Sequence, residues 1–282
     1  MSTGAPLQTT ERDEDLLVSA VPSAKGSRVR TFARVYAGAL AFILALLFGW
    51  ELAVRLGHVP DYLLPSPTAI LADLKTDWVV LGPALWVTLR EVMLGFVIAA
   101  VTGVGLAVLL HLNGPLRRAM YPILIGSQTI PIVVLAPILV ILLGYGILPK
   151  LVIVALICFF PIVVNGLDGL RAVDDEFIAM MFTLNASRWA IFRRVEFPGA
   201  LPSIFSGMRI AATFASIGAV FGEWAGSSAG LGYVMLEATP NLLTSRIFAA
   251  ILLLTVISLV LFGLVSLLER IAVPWAPRRT TS

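Results

Sequence analysis

Charge is what this sequence has least of. Asp, Glu, Lys and Arg make up 13% of its 282 residues, while 59% are hydrophobic. Soluble domains are roughly a quarter charged, so this chain has too little charge to cover a water-soluble globule of its size. A cytosolic enzyme, a disordered chain and a nucleic-acid binder are all poor fits. Cysteine occurs once, at Cys158 in an apolar stretch; no intrachain disulfide is possible, and a small buried hydrophobe is expected. Histidine occurs twice, at His58 and His111. With one cysteine elsewhere, no metal cluster and no nucleophile–base arrangement is apparent, and both histidines read as solvated loop residues. Lysine is confined to Lys25, Lys75 and Lys150, none of them in a phosphate-cradling G-x-x-x-x-G-K-[ST] loop.

What is present is hydrophobic length. The mean hydropathy is +0.95, and crossing a bilayer core takes about 20 apolar residues in a helix. Six segments qualify, which makes an all-α membrane protein: residues 34–54, 92–110, two spans within 119–167, 206–223 and 247–268. The run Gly144-Tyr145-Gly146-Ile147-Leu148-Pro149 reads as the break inside 119–167, with Lys150 in it.

The net charge is only +3, but its placement is asymmetric. With the N-terminus inside, the inner flanks hold Lys25, Arg28, Arg30, Arg34, Arg117, Arg118, Arg171, Arg188, Arg193, Arg194, Arg270, Arg278 and Arg279. The outer loops hold Arg55, Lys75, Lys150 and Arg246. By the positive-inside rule both termini are cytoplasmic. A cleaved signal peptide is disfavoured by the long polar leader and the lack of a small-residue cleavage pattern. Residues 1–30 are expected as a disordered tail, 31–271 as the transmembrane domain, and 272–282 as a short cytoplasmic tail.

One inner loop, residues 166–202, is long. Asp174 and Asp175 are helix-start residues, and Phe177, Met180, Met181 and Leu184 follow at i, i+3, i+4 and i+7, one apolar stripe. A cytoplasmic helix this apolar must be covered, either by the protein's own helix ends or by a separate subunit. Asn185 suits the left-handed turn that ends a helix. Ser187 then caps a second short helix bearing Trp189, Phe192 and Val195, which Pro198 is expected to end. Helix, turn, helix and proline make a rigid elbow.

From Asn185-Ala186-Ser187-Arg188-Trp189 through Phe192-Arg193-Arg194-Val195-Glu196-Phe197-Pro198-Gly199-Ala200-Leu201-Pro202, the loop resembles the EAA loop of permease subunits of ATP-binding-cassette importers. More narrowly, it is similar to the binding-protein-dependent permeases for nitrate, sulfonates, taurine and thiamine-pyrimidine precursors. The likeness continues through Ser206-Gly207-Met208-Arg209-Ile210-Ala211, Gly222-Glu223-Trp224-Ala225-Gly226-Ser227 and Gly230-Leu231-Gly232-Tyr233. Upstream it includes Ile130-Pro131, Ala136-Pro137, Gly144-Tyr145-Gly146, Lys150 and Phe160-Pro161, so that residues 64–268 are covered. The family's motif glutamate and glycine are replaced here by Ala179 and Asn185.

The resemblance implies a type I importer permease fold. It implies a second permease copy or close relative, two cytoplasmic ATPases that carry ATP and Mg, and an extracytoplasmic solute-binding protein. No cofactor is expected on this chain itself. Phe177, Ala179, Met180, Met181, Leu184, Asn185, Ala186, Ser187 and Arg188 would seat on an ATPase, and closure of the ATPase pair would turn the pathway outward. Cargo would be a small solute, with a lean to a thiamine-pyrimidine precursor or related vitamin over a sulfonate, taurine or nitrate.

Polar residues inside spans mark pathway or packing positions, and the candidates are Gln128, Thr129, Asn165, Ser216, Glu223 and Trp224. Pro131, Pro137 and Pro161 are expected to kink their helices; Gly95, Gly103, Gly105 and Ala107 are expected to let helices approach. The rival from another class is an ion-coupled secondary transporter, which would show intramembrane charges and internal repeats. Glu223 reads as a lone charge, and no repeat is evident.

Overall fold

The computed structural model describes residues 24–275, so the expectations for residues 1–23 and 276–282 lie outside it. The described residues are helical throughout, with no strand among them, and divide into two units. The first holds helix α1 (Ala24–Leu56), whose residues 37–56 form an apolar stretch long enough to cross a bilayer. Near its end Arg55 pairs with Glu51 one turn away at 2.6 Å.

The second unit begins at Val59. Its helices are α2 (Pro67–Thr76), α3 (Trp78–Leu112), α4 (Gly114–Ser127), α5 (Ile132–Leu143), α6 (Ile147–Arg171), α7 (Asp175–Thr183), α8 (Arg188–Ile191), α9 (Phe197–Gly226), α10 (Leu231–Ala238) and α11 (Thr244–Ala272). Five described helices are long and apolar enough to span, and a sixth span results if the bent pair α4–α5 counts as one.

Helix α6 is the centre of this bundle, packed on α3 along one side and on α9 along the other. Ile153, Val154, Cys158, Ile162, Val163 and Leu167 on it are buried. Cys158 is therefore the buried apolar residue expected, its thiol reaching the Ala211 carbonyl at 3.5 Å. Lipid offers no hydrophobic drive for helix pairing, so close backbone approach supplies the attraction. A Cβ on Gly95 would lie 2.6 Å from Val154, and one on Gly207 would lie 2.6 Å from the Pro161 carbonyl. Gly103 meets Ile162 in the same way, whereas Gly105 faces open space and takes no part.

Several boundaries differ from those expected. Helix α3 starts at Trp78 rather than near residue 92. It runs on through two charges because each has a partner: Arg90 lies 4.8 Å from the Trp86 ring centre, and Glu91 is ion-paired inside the bundle. The first span expected within 119–167 is not one rod, since α4 and α5 meet at 102° across Gln128–Pro131. Pro131 precedes the first turn of α5, where its missing N–H breaks the ladder. The break at Gly144–Gly146 falls as expected; both glycines have positive φ, +79° and +137°, which a Cβ would oppose. Lys150 is not in that break but in the first turns of α6, buried. The short helices α2 and α10 are absent from the sequence reading.

Candidate functional site

The connection between α6 and α9 folds as two helices around a corner. Asp174 Oδ1 accepts from the Glu176 N–H at 2.9 Å and caps α7. Past Thr183 the chain reverses through Asn185, the left-handed residue expected, at φ +59°. The N–H groups of Leu184, Asn185 and Ala186 donate to the carbonyls of Met180, Phe182 and Met181. Ser187 Oγ then accepts from Ala190 N–H at 3.2 Å and caps α8.

The apolar stripe of α7 is largely uncovered by the other described residues. Phe177, Met180 and Leu184 are 45%, 48% and 70% exposed, Ala179 is exposed and Met181 half-buried. Of the two covers considered, the helix ends among the described residues do not supply one for these side chains.

Pro198 does not end the second helix. Residues Phe192–Glu196 wind as a π-turn, with the Phe197 N–H bonded to the Phe192 carbonyl, and lead straight into α9. Arg194, four residues before the proline, lies in that wider turn, which eases the clash a proline ring makes with the carbonyl at i−4.

The π-turn buries Glu196, and both its oxygens are used. Oε1 accepts from Arg188 Nη1 at 2.7 Å, and Oε2 pairs with His111 Nε2 at 2.9 Å. His111, expected in solvent, is instead almost wholly buried at the end of α3, 6.2 Å from the Phe192 ring. Leu110, Leu167, Leu170 and Phe192 belong to one buried apolar cluster at this end of the bundle.

A second polar cluster occupies the opposite end of α3 and α9. Glu223 is fully buried. Its Oε1 accepts from Thr88 Oγ1 at 2.6 Å, and Oε2 accepts from the N–H of Gly232 at 2.5 Å and of Tyr233 at 3.3 Å. These N–H groups open α10, where a carboxylate satisfies donors that have no intrahelical partner. Thr88 in turn accepts from Leu231 N–H at 2.8 Å, and Trp224 Nε1 donates to the Gly232 carbonyl at 2.9 Å. Gly230, at φ +117°, passes so close to the Glu223 carboxylate that a Cβ would overlap it.

Beside this lies an ion pair, Lys150 Nζ to Glu91 Oε1 at 2.7 Å, with a second bond from Lys150 to Ser227 Oγ at 2.6 Å. Glu223 is therefore not a lone charge, because Glu91 and Lys150 lie in the same cluster. Glu91, Thr88 and the pairing of Lys150 escaped the sequence reading. The available signal was three charges of mixed sign at span ends, since a buried charge requires a partner. A recess of about 500 Å³ opens by Tyr145, Lys150, Gly226, Ser227 and Ser228.

The other predicted pathway residues are scattered. Gln128 and Thr129 are exposed at the α4–α5 break, and the Thr129 hydroxyl bonds back to Gly126. Asn165 donates to the Pro161 carbonyl one turn back at 2.8 Å. Ser216 is buried against α11, bonded to Ser258 at 2.8 Å. Among the described residues no three or more His, Cys, Asp or Glu are grouped to hold a metal.

The basic residues are sorted by end. Arg117, Arg118, Arg171, Arg188, Arg193, Arg194 and Arg270 lie toward the end that carries α7, and Lys75, Arg90, Lys150 and Arg246 toward the other. A bundle of long apolar helices with one exposed apolar elbow at its basic end is that of a multi-pass membrane protein. Residues 92–272 match the model of the binding-protein-dependent transport system inner membrane component family, and the chain belongs to that family, as a permease subunit of an ABC importer.

It is 40% identical to the "Probable ABC transporter permease protein" of Haemophilus influenzae, over 79% of this chain and 91% of that one. It is 36% identical to the formylaminopyrimidine transport permease protein ThiX of Halalkalibacterium halodurans, over 84% and 95%. The fold is that of the inward-facing MetNI methionine ABC transporter. That match has a TM-score of 0.59 at 19% identity and covers 67% of this chain and 94% of that one, which makes the fold type I importer permease-like.

Proposed function

We propose that this permease forms half of a solute pathway and that α7 docks it onto a separate cytoplasmic ATPase. The observation that carries the reading is the exposed stripe Phe177, Met180 and Leu184 on a helix braced through Asn185 onto α8. In this reading Ala179, Met181, Ala186, Ser187 and Arg188 complete the docking surface, and the end bearing α7 is cytoplasmic with both termini. Two permease copies, or this chain and a close relative, meet around the pathway, and an extracytoplasmic binding protein delivers cargo at the Glu223 end. ATP and Mg bind the ATPases.

Gln128 and Thr129, polar and exposed where α4 breaks from α5, are the pathway residues of this reading. Asn165 and Ser216 act in packing, and Glu223 with Trp224 holds α10 at the outer gate. Cargo is a thiamine-pyrimidine precursor, supported by 36% identity to the formylaminopyrimidine permease. The test is uptake by cells whose sole importer contains Met181→Asp or Leu184→Asp. Loss of formylaminopyrimidine uptake with the permease still in the membrane supports both parts of the reading. Unchanged uptake overturns the docking role. If the unaltered importer carries taurine or nitrate and no pyrimidine, the cargo assignment fails while docking stands.

A further inference from the structure

We infer that Glu196 is a positioning residue that makes α3 move with the coupling loop, an inference that rests on the docking role of α7. The buried carboxylate joins the loop to α3 through a pair of polar bonds: Arg188 of α8 on Oε1, His111 of α3 on Oε2. Only residues 184–187 separate α7 from Arg188, and their turn is fixed by three backbone hydrogen bonds and the Ser187 cap. A displacement of α7 therefore reaches Arg188 with little slack.

The π-turn is what aims Glu196. One extra residue in a turn rotates all that follows by about 100°, and the turn ends on Glu196 itself. A charge as buried as that of Glu196 is costly unless fully partnered, so the three side chains keep their arrangement or lose it together.

The consequence reaches the other end of the bundle. From Thr88 to His111 helix α3 spans about 35 Å, and from Phe197 to Glu223 helix α9 spans about 40 Å. The two are tied by Glu196–His111 at the loop end and by Thr88–Glu223 at the far end. Cross-tied at both ends, they transmit motion of the loop as one body to the residues around Ser228. Without the Glu196 tie, α9 is driven alone and α3 lags.

The test needs no knowledge of the cargo. Ser228 is exposed beside the outer recess, and the single native cysteine is buried. In the purified complex with its ATPase, Ser228→Cys is labelled with a membrane-impermeant maleimide, with and without ATP and vanadate. The expectation is a nucleotide-dependent change in labelling rate of threefold or more. Adding Glu196→Ala or His111→Leu should reduce it below 1.5-fold. His111→Gln, which keeps an N–H toward Glu196, should restore it, a rescue that general destabilisation would not give. A full nucleotide response in Glu196→Ala, while Leu184→Asp abolishes it, overturns this inference alone. A full response in Leu184→Asp overturns the docking role of α7 instead.

Discussion

Glu223 and Lys150 show how single residues are held by charge in one case and by space in the other. The Glu223 carboxylate fills the volume a side chain at position 230 would need. Gly230→Ala, which also forces a Cβ into φ +117°, should therefore lower the thermal midpoint in detergent sharply. Gly263→Ala, a helix position facing open space, should leave it unchanged or slightly raised, since Ala favours a helix over Gly by about 1 kcal/mol. Size-exclusion chromatography after stepwise heating separates the two. Lys150 tests charge. Lys150→Met leaves Glu91 buried without its cation, a loss of about 3–5 kcal/mol. Adding Glu91→Gln should recover more than half of that loss, because the pair and not either residue is what the site requires. If the two substitutions add, the pair is not the unit.

At the scale of elements, what was legible in the sequence followed from length and local chemistry. The spans announced themselves as apolar runs, the α7 cap as Asp174, the reversal as Asn185 and the α8 cap as Ser187, because each depends on residues within one turn. What was not legible depended on partners far along the chain. The span read as 92–110 stopped short of Arg90 and Glu91 because their partners, Trp86 and Lys150, could not be seen from periodicity. Pro198 looked like a terminator because nothing local announces a π-turn. The α4–α5 bend was readable only as a kink at Pro131, not as a change of direction by 102°. The legible corner gives a sharp prediction. Asn185→Gly keeps the left-handed turn and should keep uptake near the parent level. Asn185→Val places a β-branched residue at φ +59°, a genuine outlier, and should cut uptake at least tenfold with insertion unchanged, as read by membrane immunoblot.

For the whole molecule, the decisive question is which way the bundle faces, because docking onto an ATPase requires α7 on the side where ATP is. The argument is electrostatic. Arg117, Arg118, Arg171, Arg188, Arg193, Arg194 and Arg270 gather at the α7 end, against Lys75, Arg90, Lys150 and Arg246 toward the opposite end. Lys and Arg flanking short loops are what the insertion machinery retains in the cytoplasm, so the α7 end should stay inside. Arg118→Cys and Ser228→Cys, exposed at opposite ends, read this out. In right-side-out vesicles an impermeant maleimide should label Ser228→Cys at once and Arg118→Cys only after permeabilisation. The reverse pattern would put Phe177, Met180 and Leu184 outside, beyond the reach of any ATP-hydrolysing partner. The same apolar stripe would then have to meet the external binding protein, and the direction in which force enters the bundle would be inverted.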